Sequence, residues 1–306
     1  MNRYEFELLK FLEKKGNQEI TYCARTFSDQ LNISGTQLNE SLDLVIERGW
    51  VEKNGNDIKI TSAGIEALEP YRVKRAVIFA AGFGSRMVPV TLDTPKPLVD
   101  VNGKRIIDRL IDALLEIGID DITLVRGYKK EKFDVLVEKY PFIKLVDNDI
   151  YDKTNNISSA MAVIDKIDEC YICEADLLVA NPEIIEKYQF ASNYLGSYSL
   201  ETDDWCFDEV DGRLCNYRKG GKYCYNAYGI SYWTKDDSEK LRNDLKKCYE
   251  EPKGDDIFWE FVPLVKLADE YQVEIRKCKK TDITEIDNFY ELVEIDSRYA
   301  DYPGQQ

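Results

Sequence analysis

The apolar positions of the first 70 residues change period twice. Tyr4, Leu8, Phe11 and Leu12 recur at the spacing of one helix face, and Lys14-Lys15-Gly16 supplies a cationic stop. A second short helix is predicted over residues 22–31. The third begins at Ser34, a good N-cap, and sets Leu38, Leu42, Val45 and Ile46 on one side. Then Trp50-Val51-Glu52-Lys53, the turn Asn54-Gly55-Asn56 and Ile58-Lys59-Ile60 read as a two-stranded hairpin. Thr61-Ser62 opens a last helix carrying Ile65 and Leu68, which Glu69-Pro70 closes.

From Lys74 the pattern differs. Ala76 to Ala81 is a short β-like run followed by a glycine-bearing loop. Ile107, Leu110, Ile111 and Leu114 mark a helix, Ile122 to Val125 a strand, and Phe133 to Tyr140 another helix. Further strands are expected at 143–146 and 171–175. This alternation predicts a layered α/β domain with a largely parallel sheet. After residue 198 strands dominate, at 197–200, 205–207 and 225–233, with a turn at Asp211-Gly212, so the sheet becomes mixed. The tail Tyr302-Pro-Gly-Gln-Gln is expected to fray. Residues 1–70 resemble a winged helix-turn-helix in their pattern alone.

Composition narrows the chemistry. The 306 residues fit two unequal domains, and the net charge of −16 argues against a broad nucleic-acid footprint. Residues 1–70 carry −4 themselves, and the helix that would enter a DNA groove bears Glu40, Asp43 and Glu47. DNA is therefore not the expected partner, and packing, self-association or regulation is the expected role of this unit. The chain contains no His, which excludes His-dependent triads, His-ligated zinc and imidazole general bases. Eight scattered cysteines, an acidic start and no apolar run of about 18 residues point to a cytoplasmic protein with no membrane span.

The sharpest motif is Ala80-Ala81-Gly82-Phe83-Gly84-Ser85-Arg86, followed by Thr94-Pro95-Lys96-Pro97-Leu98. A glycine turn after a strand lets backbone N–H groups approach phosphate. Met87 stands where a dinucleotide fingerprint needs its third glycine, and no Gly-Lys-Ser/Thr of a P-loop follows. Instead Arg86 and Lys96 are cations held ten residues apart by prolines, suited to gripping a triphosphate and a second phosphate together.

In this motif the chain resembles the nucleotidyltransferases that activate phosphorylated small molecules, with their Gly-x-Gly-x-Arg and Pro-Lys-Pro-Leu signature. It looks most like the bacterial choline-phosphate cytidylyltransferases, through Val125-Arg-Gly-Tyr-Lys129, Asn148-Asp-Ile-Tyr151, Asn155-Asn156, Glu174-Ala-Asp176 and Glu285-Ile-Asp287. The resemblance runs over residues 74–296, and no Glu-Lys-Pro segment of the sugar-nucleotide branch is found. It implies an α/β fold: a Rossmann-like nucleotidyltransferase domain with a mixed, mostly parallel sheet over residues 75–306, preceded by the small winged-helix-like domain over 1–70. It implies Mg²⁺ on Asp176 and Asp287, catalytic Lys96 and Arg86, and nucleotide contacts from Ala81, Gly82, Gly84, Gly127 and Ser159. A choline pocket would fall on Trp205, Asp256, Phe258 and Trp259, with Phe258 where the family has Tyr. The implied reaction is CTP plus phosphocholine to CDP-choline and pyrophosphate, with a homo-oligomer compatible with the sequence. Rival expectations are transfer to a sugar 1-phosphate or an aminoalkyl phosphonate, and a winged-helix regulator with a transferase-like sensor domain.

Overall fold

The computed structural model describes residues 1–16 and 18–302, so most of the tail expected to fray lies outside the described residues. Two compact units form, one of Met1–Arg72 with Lys187–Phe190 and one of Val73–Glu186 with Ala191–Gln306.

The first unit contains α1 (Arg3–Lys14), β1 (Ile20–Thr21), α2 (Ala24–Leu31), α3 (Gly35–Glu47), β2 (Val51–Asn54), β3 (Asp57–Ile60) and α4 (Ser62–Leu68). Helix starts follow their caps. Asn2 and Glu5 make a reciprocal capping box on α1, and Ser34 and Thr61 accept from Gln37 and Gly64 N–H groups. Leu8, Leu9, Leu12, Leu38, Leu42 and Val45 share one core with Ile58, Ile60 and Tyr188. The three strands pair antiparallel in the order β1-β3-β2.

The second unit opens with β4 (Arg75–Ala80), the short ladder of β5 (Asp100–Val101) and β6 (Lys104–Arg105), and α5 (Ile106–Glu116). It continues through β7 (Asp121–Arg126), α6 (Asp134–Lys139), β8 (Lys144–Asp147), α7 (Ile157–Ala162), β9 (Cys170–Glu174) and β10 (Leu177–Val179). Two long strands follow, β11 (Asn193–Val210) and β12 (Arg213–Trp233), then α8 (Lys235–Tyr249), β13 (Glu274–Lys277), β14 (Ile283–Glu285) and α9 (Phe289–Ile295). The seven-stranded sheet runs β11-β13-β12-β9-β4-β7-β8. Pairing is parallel across β9, β4, β7 and β8 and antiparallel where β12 meets β9, giving the mixed, mostly parallel sheet. Residues such as Ile78, Leu124 and Cys173 face one core layer, and Val77, Val125 and Ile172 the other, so β4, β7 and β9 are buried on both faces. Parallel strands end together, and the loops after β4 and β9 therefore meet at one edge of the sheet, where ligands bind in such folds. Among the described residues no helix is long and apolar enough to cross a membrane.

Candidate active site

The loop after β4 folds back on itself. Gly84 sits at φ +68°, and a Cβ there would lie 3.0 Å from the Cβ of Lys96, so a glycine lets the two halves of the motif approach. Thr91 Oγ1 donates to the Gly84 carbonyl at 3.0 Å, and Tyr128 Oη donates to the Thr91 carbonyl at 2.8 Å, holding that fold.

Lys96 is only 6% exposed, and its Nζ donates to Asp176 Oδ2 at 2.7 Å. Burial pulls the ammonium down, but Asp176, Glu285 and Asp287 outweigh it and hold the pKa above its ordinary value. Arg86 pairs with Asp287 at 2.7 Å while most of its side chain stays open to solvent. The antiparallel β10–β14 ladder pairs Leu177 with Glu285. That register sets Asp176, just before Leu177, beside Asp287, two residues after Glu285. Glu174 and Glu285 end β9 and β14, Asp176 and Asp287 follow two residues later in the connecting segments, and all four line one cavity.

Two cavities share Arg86, Glu174, Asp176 and Asp287. The smaller, about 280 Å³, lies against Gly82, Gly84, Ser85 and Lys96. The larger, about 500 Å³, is walled by Trp205, Tyr217, Phe258 and Tyr194 and by the carboxyls of Asp204, Glu260 and Glu285. Trp205 stacks on Tyr217 with ring centres 5.4 Å apart and planes 3° apart, and meets Phe258 edge-on at 5.4 Å. The acids crowd one another. Burial, then Glu260, Asp176 and Glu285, push the Glu174 carboxyl well above its ordinary range. Burial with Asp176 and Asp287 does the same to Glu285, and burial pushes Glu260 up to about 7.

Arg86, Lys96, Asp176, Asp287, Gly82, Gly84, Trp205 and Phe258 thus converge on the paired cavities. Five expected residues do not line them. Asp256 ends an exposed turn, where its N–H donates to the Lys253 carbonyl, and stands in solvent. Trp259 is 1% exposed because its ring packs edge-on against Phe79 and Trp233 in the core. Ser159 is buried and takes a hydrogen bond from Asn148 Nδ2 at 3.1 Å. Gly127 is buried where a Cβ would meet the Tyr151 ring at 2.7 Å and the Ala81 carbonyl at 2.8 Å, so its place follows from packing. Ala81 follows β4 and is buried, its carbonyl taking the Tyr128 N–H. Sequence reasoning missed the cavity roles of Tyr194, Tyr217, Glu174, Glu260 and Glu285. The two-residue spacing of Glu174 from Asp176, of Glu285 from Asp287 and of Phe258 from Glu260 was the available signal.

A hard dication such as Mg²⁺ favours oxygen donors. Among the described residues no three His, Cys, Asp or Glu side chains gather at metal-ligating spacing. The two aspartates suit Mg²⁺, which keeps waters and takes one or two carboxylates together with substrate phosphates.

Residues 76–196 match the MobA-like NTP transferase domain family. The chain is 38% identical over 229 residues to a 2-aminoethylphosphonate cytidylyltransferase of Lancefieldella rimae, covering 74% of this chain and 93% of that protein. It is 32% identical over 225 residues to the choline-phosphate cytidylyltransferase of Streptococcus pneumoniae, covering 72% of this chain and 97% of that one. The solved structure of a CTP:phosphocholine cytidylyltransferase from Streptococcus pneumoniae superposes with a TM-score of 0.69 at 31% identity, over 74% of this chain and 99% of that chain.

Proposed function

The chain belongs to the nucleotidyltransferase superfamily, and on that premise we propose that it transfers a cytidylyl group from CTP to a small cationic acceptor, an aminoalkyl phosphonate first. With 2-aminoethylphosphonate the products are its CMP conjugate and pyrophosphate. The observation that carries this reading is the cavity pair: the cations Arg86 and Lys96 on the smaller cavity, and aromatic rings with buried carboxyls in the larger one that shares Arg86 with it. The 38% identity to an aminoethylphosphonate enzyme supports the choice of acceptor.

A phosphonate oxygen attacks the α-phosphorus, the bond from that phosphorus to the bridging oxygen breaks, and pyrophosphate leaves with the electron pair. The attacking oxygen is ionised near neutrality, so no general base is needed in a chain without His. Lys96 holds the acceptor's phosphorus acid beside the α-phosphate, and Arg86 holds the departing pyrophosphate, so positioning and charge supply the rate. Asp176 and Asp287 would hold Mg²⁺, which when bound neutralises phosphate charge. Gly82 and Gly84 leave room for the nucleotide's phosphates. A second reading, phosphocholine, is favoured by the Trp205, Tyr217 and Phe258 wall, because aromatic faces attract quaternary ammonium. For the first unit the reading is a winged-helix-like module with a packing or regulatory role.

The test is pyrophosphate release over four NTPs and a panel of 2-aminoethylphosphonate, phosphoethanolamine, phosphocholine and sugar 1-phosphates. CTP with an aminoalkyl acceptor is expected to be fastest. A preference for a sugar 1-phosphate would remove the cationic-acceptor reading.

A further inference from the structure

The larger cavity contains an acceptor atom with nothing to accept from. Glu260 is 5% exposed and lines the cavity, and its Oε2 is buried with no hydrogen-bond partner among the described residues. A buried carboxylate oxygen left unpaired is expensive, and native folds keep one only where a ligand, an ion or water completes it. The Trp205 indole N–H and the Tyr217 hydroxyl do not complete it, since neither bonds Oε2, and Phe258 has no donor to offer. These rings attract any ammonium, whatever its substitution, since the attraction acts on charge alone. The Glu260 oxygen is more demanding. It needs an N–H.

We infer that Glu260 is the specificity-determining residue of the acceptor cavity, selecting cations that carry at least one N–H over quaternary ones. The inference rests on the cationic-acceptor reading above and sharpens it. A primary alkylammonium gives Oε2 a charge-assisted bond and still lies against the rings. A trimethylammonium presents only methyl groups, so Oε2 stays unpaired and desolvated beneath it. Sites built to bind a substrate N–H reject the analogue lacking it far more strongly than apolar pockets reject an added methyl. Phe258 and Glu260 sit two residues apart, so ring and carboxylate reach the cavity from one short segment.

N-methylation separates donor from size. 2-Aminoethylphosphonate, its N-methyl, N,N-dimethyl and N,N,N-trimethyl forms are compared by kcat/KM at fixed CTP. When protonated, the first three each keep an N–H, and the fourth has none. The wild-type chain is expected to show small changes over the first two methyl groups and a drop of about 10- to 100-fold at the last, the range of a lost charge-assisted bond. In Glu260→Gln that final drop should shrink to a few-fold, with the apparent affinity for CTP held within about 2-fold. An even decline across all three methyl groups means that size decides, and overturns the inference without any variant. An undiminished last step in Glu260→Gln, or a parallel fall in CTP affinity, also overturns it. Turnover of CTP with a sugar 1-phosphate alone would instead end the acceptor reading on which it rests.

Discussion

Charge is concentrated at a few residues whose pairings look costly until phosphates are considered. Lys96 is buried against Asp176, and Arg86 reaches Asp287, so each cation proposed to bind phosphate has a carboxylate at hand. Removing either carboxylate leaves a cation aimed wrongly and takes an oxygen ligand from the proposed Mg²⁺ site. Asp176→Ala and Asp287→Ala should each lower kcat on the order of 100-fold, as loss of one preorganised charge-stabilising group does. Steady-state turnover with CTP and Mg²⁺ checks this, and near-normal rates in either variant would exclude that residue. Glu260 makes a second prediction. Glu174, Tyr194, Tyr217 and Asn156 face it, and burial lifts its carboxyl up to about 7. Binding an ammonium requires the anion, so kcat/KM for the amine acceptor should fall as pH drops through about 7. The acceptor's own acid adds a limb near pH 6, about where a phosphate ester ionises, and only that limb should survive in Glu260→Gln. Stability of the empty protein carries the opposite sign: a raised carboxyl pKa contributes stability below about 4.3 that is lost as pH rises through about 7.

Elements with one clean period were legible in the sequence. The helix around Leu110 and Leu114 forms as α5, and the apolar run of Ala76 to Ala81 forms as β4. The long pair β11 and β12 was read as fragments. Register shifts fall at Thr202/Trp205 and Phe207/Asp208, and Asn216, Gly220 and Tyr223 take positive φ, so inward and outward positions lose their alternation. The same irregularity carries Trp205 to the cavity, where it stacks on Tyr217, a residue whose part in the site had no sequence signal. The Phe258 segment was expected to supply aromatic wall, but a count along Asp256-Ile257-Phe258-Trp259 cannot say which ring faces the cavity. The structure turns Phe258 to the cavity and Trp259 into the core. Trp205→Ala should weaken kcat/KM for the acceptor by about 2- to 30-fold, the range of one cation–π contact. Apparent affinity for CTP, measured in parallel, should stay nearly constant. Equal damage to both substrates would make Trp205 a general packing residue.

For the whole molecule, charge and chain path both bear on the first unit. Glu40, Asp43 and Glu47 are exposed on α3, and the chain carries a net −16, so phosphates are repelled there. The full chain should therefore bind duplex DNA without a steep salt dependence, and a steep one would revive the regulator reading. Chain path supplies the last prediction. Sequence reasoning put a boundary near residue 70, where the hairpin pattern gives way to a new strand. Nothing in the pattern marked Lys187–Phe190, four residues flanked by elements of the second unit, as part of the first. Yet Tyr188 is buried in the first unit's core, Phe190 stacks on Tyr71 at 5.5 Å and 8°, and Lys187 pairs with Glu13. A chain beginning at Val73 strips those partners away and leaves two aromatic side chains bare. Burial of a side chain as large as the fully buried Tyr188 is worth about 1.5–3 kcal/mol, and of the half-buried Phe190 less, so the shortened protein should lose stability and self-associate. Polar replacement of both, Tyr188→Ser with Phe190→Ser, should restore a monodisperse protein. Every residue assigned to the reaction lies in the second unit, so that shortened, doubly substituted chain should still release pyrophosphate from CTP. A folded, monodisperse but inactive product would mean that the first unit takes part in the reaction itself.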